Sequence, residues 1–257
     1  MTKEINVGIV AEGTTDHRLL NEIICSLLDK ENDCLFLQPT IQSNTAGWFG
    51  VIDYCQNHIK KAGYDTFLRL DITRPIDILV IAIDGDQHKE PLLDCAARDR
   101  VYCERYRDVH ACYTMRTIGE DDFAECKFYP YQSRLKALPI ENRVYKMSSW
   151  VLKWCGLDTQ PQSLIISIPC SMIESWIVAG LDGAVIEGTP IEEYNHLFTD
   201  YVLNHSPKYH GWPTAGGKTD FFKFFTPQVV SKWENICSIC SQAKKFHDSL
   251  MAASRYL

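Results

Sequence analysis

Ile5-Asn6-Val7-Gly8-Ile9-Val10-Ala11-Glu12-Gly13-Thr14-Thr15-Asp16 is the stretch whose reading decides the fold. An apolar run of strand length ends on a glutamate, a glycine turns the chain, and a helix opens with an aspartate in its first turn. Far downstream, Ile78-Leu79-Val80-Ile81-Ala82-Ile83 ends in the same manner, on Asp84-Gly85-Asp86. In an open α/β sheet the carboxyl ends of the strands share one edge, and ligands bind there. The two stretches together predict an acidic cluster at that edge.

Working outward, Leu19, Leu20, Ile23, Ile24, Leu27 and Leu28 form a helical apolar stripe, with Thr14 as its expected N-cap. Glu31-Asn32-Asp33 reads as a turn. Leu35 to Ile41 reads as a second strand, placed at a sheet edge by Pro39. Helical spacing returns between Phe49 and Leu70, with a break at Gly63. The third strand, Ile76 to Ile83, is nearly all β-branched, as a strand buried on both faces requires. Alternating strands and helices predict a parallel, doubly wound sheet.

Beyond Pro91 the pattern weakens. Pro91 to Tyr106 reads as a helix carrying Arg98, Arg100, Arg105 and Arg107, followed by a mixed aromatic and basic region and a helix over Tyr145 to Cys155. Interleaved cations and rings suit a single-stranded nucleic acid, and equally suit a helical insertion whose basic side chains snorkel over its surface. A fourth strand, Ser163 to Ile168, stops at Pro169. A helix from Met172 to Leu181 follows, capped by Cys170 or Ser171, with Glu174 in its first turn and Gly180 and Gly183 at its end. The remainder reads as helical over Ile191 to Asn204, as a glycine- and proline-rich loop over Ser206 to Lys218, and as helix from Phe221 interrupted at Pro227. The expected organisation is an α/β domain over 1–183, with an insertion at about 91–160, and a helical extension over 184–257 packed on it.

A chain of 257 residues with 46% hydrophobic and 23% charged residues can bury a sizeable core and is not composed like a disordered segment. No apolar run reaches membrane-spanning length. The first residues, Met-Thr-Lys-Glu, run straight into a strand without the pattern of a secretion signal, which predicts a cytoplasmic protein. The eleven cysteines lack a repeating framework, and the one close pair, Cys237 and Cys240, reads as two core thiols on one helix. A net charge of −7 neither favours nor excludes a nucleic-acid substrate, because carboxylates reserved for metals inflate it.

Glu12, Asp16, Asp84, Asp86 and Glu174 all fall just past a strand end or in the helix turn that follows. Carboxylates gathered at one edge repel one another, and a hard cation removes that penalty. Oxygen donors in this number suit Mg²⁺, Mn²⁺ or Ca²⁺ rather than zinc. His17 and His88 read as neighbours of the site, not as ligands.

Ala11-Glu12-Gly13-Thr14-Thr15-Asp16 with Asp84-Gly85-Asp86 resembles the TOPRIM domain of topoisomerases, bacterial primases and OLD-family nucleases. The spacing of Glu12 and Asp16 looks like that of the OLD-type nucleases. Ile168-Pro169-Cys170-Ser171-Met172-Ile173-Glu174-Ser175-Trp176 is similar to a Pro-x-x-x-Ile-Glu-x-Trp stretch of the TOPRIM-like DUF4276 family, whose members accompany ATPases in bacterial phage-defence operons. The resemblance covers about residues 5–90 and 163–180. It implies a TOPRIM-like, Rossmann-like sheet holding one or two Mg²⁺ or Mn²⁺ ions on Glu12, Asp16, Asp84, Asp86 and Glu174.

The activity implied is hydrolysis of DNA or RNA phosphodiester bonds, because no nucleophilic-tyrosine domain or template-binding module is recognisable. Glu12 would hold metal or act as general base. The lysine that OLD-type nucleases place near the scissile phosphate points to Lys218, in Gly216-Gly217-Lys218-Thr219, ahead of Lys208. A solvated loop lysine is the bland reading of Lys218. Substrate contacts would come from Arg98, Arg105 and Lys208. Gly-Gly-Lys-Thr is not a P-loop, since Trp212 stands where that motif needs glycine. Any ATPase would be a partner chain, and nucleic acid and further copies of this chain are the other partners implied. Two alternatives stay open: a TOPRIM-like subunit that regulates an ATPase without its own activity, and a metal-dependent phosphatase acting on a small substrate.

Overall fold

Short runs rich in β-branched residues cannot satisfy their backbone groups alone, and here they do so by pairing side by side. The computed structural model describes residues 5–39, 47–71, 73–85, 140–170, 172–183, 185–186, 188–194, 197–202 and 217–257. The first half contains β1 (Val7–Val10), α1 (Thr14–Leu28), β2 (Leu35–Gln38), α2 (Trp48–Tyr54), α3 (Tyr64–Leu68) and β3 (Ile78–Ala82). Next come α4 (Ile140–Trp154), β4 (Leu164–Ser167), α5 (Glu174–Asp182) and a small hairpin, β5 (Val185–Ile186) with β6 (Thr189–Pro190). Three helices close the chain: α6 (Gly217–Ser231), α7 (Trp233–Ile239) and α8 (Ser241–Ser254).

Strands β1 to β4 form one parallel sheet in the order β2-β1-β3-β4. The fold is therefore α/β, a parallel sheet with helices on both faces, compatible with the Rossmann-like class. Val7 pairs with Ile78 and Val10 with Ile81, while Ala82 pairs with Ser167, so the strand ends are nearly level. Strand β2 lies at the edge, as Pro39 predicts. Alternate side chains of each strand enter different cores, as the two-residue period demands. Ile9, Val80 and Ile165 face a core shared with α1, α5, α6, α7 and α8. Val10, Leu79, Ile81 and Leu164 face a second core shared with α2, α3 and α4.

The C-terminal helices are thus part of one sheet face. Trp176 on α5 meets Trp233 edge-on at 5.4 Å and Phe246 at 5.8 Å. Pro227 does not interrupt α6, contrary to expectation; the helix runs through it to Ser231. Proline removes a backbone donor and strains the preceding turn, but Phe221, Phe222, Phe225 and Val229 are all buried and hold the helix down. The break falls instead at Lys232, and a second at Cys240, which ends α7 and begins α8. Cys237 and Cys240 are therefore not on one uninterrupted helix.

Other boundaries shift for local reasons. Helix α4 starts at Ile140, before Tyr145. Gly180 lies inside α5, and only Gly183, at φ 95°, ends it. The stretch read as helix from Ile191 is a single 3-10 turn, Ile191–Glu193, followed by a π-helical turn, Leu197–Val202, and the hairpin before it was not foreseen.

That 3-10 turn carries Glu192, which is buried. Its carboxylate accepts from Ser241 N at 2.9 Å, Ser241 Oγ at 2.8 Å and Gln242 N at 2.9 Å, capping α8 where Cys240 offers no oxygen. Removing it leaves buried donors unmet. Glu192→Ala should lower stability by about 2 kcal/mol, read as a shift of the urea midpoint; an unchanged midpoint would show that water replaces the cap at no cost.

Candidate functional site at the carboxyl edge of the sheet

The chain leaves β1 toward β2 and leaves β3 toward β4. Neighbouring strands with exits in opposite directions define the switch point of an open sheet, where a crevice forms outside their carboxyl ends. Glu12 follows β1 there, and Asp84 follows β3.

The two are joined directly. The Glu12 carboxylate accepts the Asp84 backbone N–H at 2.9 Å through Oε1. Asp84 in turn accepts the Ile173 backbone N–H at 3.1 Å through Oδ1. Ile173 occupies the N-cap position of α5, whose first residue is Glu174. Ile173, not Cys170, is the N-cap, and Ser171 lies outside the described residues; the N-cap side chain makes no bond to the helix, and the carboxylate from the neighbouring strand end accepts the N-cap N–H instead. Glu174 is completely buried, with 0% exposure. Three strand-end turns, those after β1, β3 and β4, are thereby stitched together by carboxylates.

Glycines allow the approach. Gly85 donates to the Pro169 carbonyl at 2.9 Å, and a Cβ at Gly85 would meet that oxygen at 2.7 Å, a clash with backbone that cannot swing away. Gly47, at φ 76°, donates its N–H to the Glu12 carbonyl at 2.8 Å. Gly47 was not singled out by sequence, since nothing local marks a glycine far along the chain as the residue that fastens Glu12.

Asp16 behaves differently. Its carboxylate turns back on its own helix, accepting the Gly13 N–H at 2.9 Å and lying 3.2 Å from Thr15 Oγ1. Gly13, not Thr14, stands at the N-cap, and Thr14 is the first helical residue. Asp16 thus serves α1 as the acidic member of a capping box and as a favourable charge at the helix N-terminus.

Helix α6 packs along α1. Phe222 shares a groove with Thr14 and Thr15 at the start of α1, whereas Val230 and Trp233 share another with Ile23 and Leu27 further along it. Lys218 lies in the first turn of α6, a helix that packs along α1. Lys218 begins a helix rather than sitting in a loop, because α6 opens at Gly217. Asp86, Arg98, Arg105 and Lys208 lie outside the described residues. Among the described residues, no three His, Cys, Asp or Glu side chains gather closely enough to hold a metal ion. None of the helices among them is long and apolar enough to cross a membrane.

His17 is a neighbour of the edge, packed on Phe36 with ring centroids 3.7 Å apart. Burial pushes its imidazole down from 6.5 to about 4, against the opposing pull of Asp33 and a hydrogen bond to the Leu35 backbone. His17 is therefore neutral at pH 7. No family model, no curated protein and no solved structure gives a significant match to this chain.

The depressed His17 value carries a stability consequence. Above about pH 6.5 the ring is neutral in both folded and unfolded chains and contributes no pH dependence. Between pH 6.5 and about 4 the unfolded chain takes up the proton first, so stability falls as pH falls. The loss across that window should be on the order of 2–3 kcal/mol, and His17→Phe should flatten it in urea titrations run at several pH values. A parent-like slope in the variant would assign the effect to other groups.

Proposed function

We propose that this chain is a divalent-metal-dependent nuclease with a TOPRIM-like core that hydrolyses phosphodiester bonds of DNA or RNA. The observation that carries the reading is the pairing of Glu12 and Asp84 at the switch point, with the buried Glu174 in the turn that Asp84 holds. The resemblance of these stretches to OLD-type and DUF4276 proteins supports it, and supports a role beside an ATPase partner in anti-phage defence.

In chemical type the proposed donors suit a hard cation. Glu12, Asp84 and Glu174 offer only carboxylate oxygens, the choice of Mg²⁺ and Mn²⁺. A buried carboxylate such as Glu174 is costly unless its charge is compensated, and a cation at this edge is one means. Asp86 and Asp16 complete the proposed ligands, Asp16 after release from its cap. When bound, such an ion supplies an acidified water and neutralises charge on the phosphate oxygens. The Glu12 carboxylate would hold the ion or accept the proton of the attacking water. Lys218, in the first turn of α6, would offset the charge that builds on phosphorus.

A second reading has its own observation. Glu12, Asp16 and Asp84 each accept a backbone N–H, so all three also act as structural ties. A subunit that regulates an ATPase and cleaves nothing would use them in that way alone.

Glu12→Gln and Asp84→Asn separate the readings, because each amide oxygen still accepts the backbone N–H while the charge is removed. Both variants should melt near the parent temperature, and Mn²⁺-dependent cleavage of labelled DNA and RNA should fall to background. Cleavage equal to that of the parent would sink the nuclease reading. A parent inactive with and without its ATPase would favour the regulatory subunit.

A further inference from the structure

Beside the carboxyl edge lies a groove of about 480 Å³ between α1, β2 and α6. That volume is in the range of small-molecule sites. At one end stand Thr14 and Thr15, two and three residues past Glu12. Among the described residues its wall carries one cation, Arg18, and two carboxylates, Glu22 and Asp33. Phe36 lines it and is 39% exposed although it is a large apolar ring on an ordered strand. Phe36 pairs with Ile9, three residues before Glu12, or roughly 10 Å along the strand. One ligand can therefore lie on the ring and reach toward the edge.

Charge narrows the ligand. Among the described residues, one cation against two carboxylates favours a ligand that brings donors over one that brings a run of phosphates. It suits a planar group that stacks on Phe36, offers N–H donors to the carboxylates and presents an acceptor to Arg18. Guanine does all three: its N1–H and N2–H₂ donate, and O6 and N7 accept from arginine. Adenine lacks the paired donors for a carboxylate. His17 also lines the groove.

We propose that the groove is a guanine-binding subsite, with the base stacked on Phe36 and read by Asp33, Glu22 and Arg18, and its phosphate directed to Thr14 and Thr15. The proposal rests on the nuclease reading only for the origin of the base, an unpaired nucleotide of the substrate strand beside the scissile bond.

The test is calorimetric titration of the full chain with GMP, AMP, CMP and UMP in EDTA, where no cleavage occurs. The parent should bind GMP saturably and at least about fivefold more tightly than the other three. Stacking on an aromatic ring makes Phe36→Ala weaken GMP by roughly tenfold. Asp33→Asn keeps the acceptor for Asn21 Nδ2, 2.9 Å away, and should erase the preference for GMP over AMP. Arg18→Ala, at an exposed position, should weaken GMP without altering the melting temperature. No saturable binding, equal affinity for the four nucleotides, or a Phe36→Ala variant that binds like the parent would each overturn the subsite. A chain that binds GMP yet cleaves no nucleic acid keeps the groove and loses the nuclease; one that cleaves but binds no mononucleotide does the reverse.

Discussion

The hydrogen bond from the Asp84 backbone to the Glu12 carboxylate, 2.9 Å long, is the constraint on which the edge of this molecule depends. It ties the ends of β1 and β3 to each other. Through the Asp84 carboxylate it continues to Ile173 and so to the start of α5. Charge-assisted bonds of this kind are stronger than neutral ones, and each satisfies a backbone donor that a strand end or helix start leaves over. The acids at the edge therefore position three turns.

That arrangement explains why glycine stands on both sides of it. Gly85 lets the turn after β3 lie against the Pro169 carbonyl, where any side chain would collide with backbone. Gly47 brings a distant part of the chain onto the Glu12 carbonyl at a positive φ. A site built in this way holds its carboxylates by main-chain contacts from several loops. Pre-organisation of that sort is what a centre acting on phosphate oxygens needs, and it serves equally well as a joint between structural elements.

Behind the edge, the sheet is held by two cores of different origin. One is assembled from α2, α3 and α4, and the other draws on the C-terminal helices α6 to α8 as well as α1 and α5. Trp176, Trp233 and Phe246 join the latter around the helix that begins with Glu174. The helix that begins with Glu174 is thus held in part by residues near the end of the chain.

Periodicity and composition made much of this legible. The continuous β-branched run ending at Asp84 could only be a strand buried on both faces, and Pro39 could only place its strand at an edge, because these follow from local sterics and burial. The positions of Glu12 and Asp84 past their strands follow for the same reason. Boundaries in the C-terminal part were less legible, since Pro227 argues locally for a break and is outweighed by four buried residues packed on α1. Likewise the sequence by itself placed Glu12 and Asp84 just past their strands but did not determine how each is used there. Asp84 at the N-cap of α5 and Gly47 as the fastening of Glu12 are long-range hydrogen bonds, decided only when the strands pair and bring residues 12, 47, 84 and 173 together, whereas Asp16 as a cap is settled locally at the start of α1.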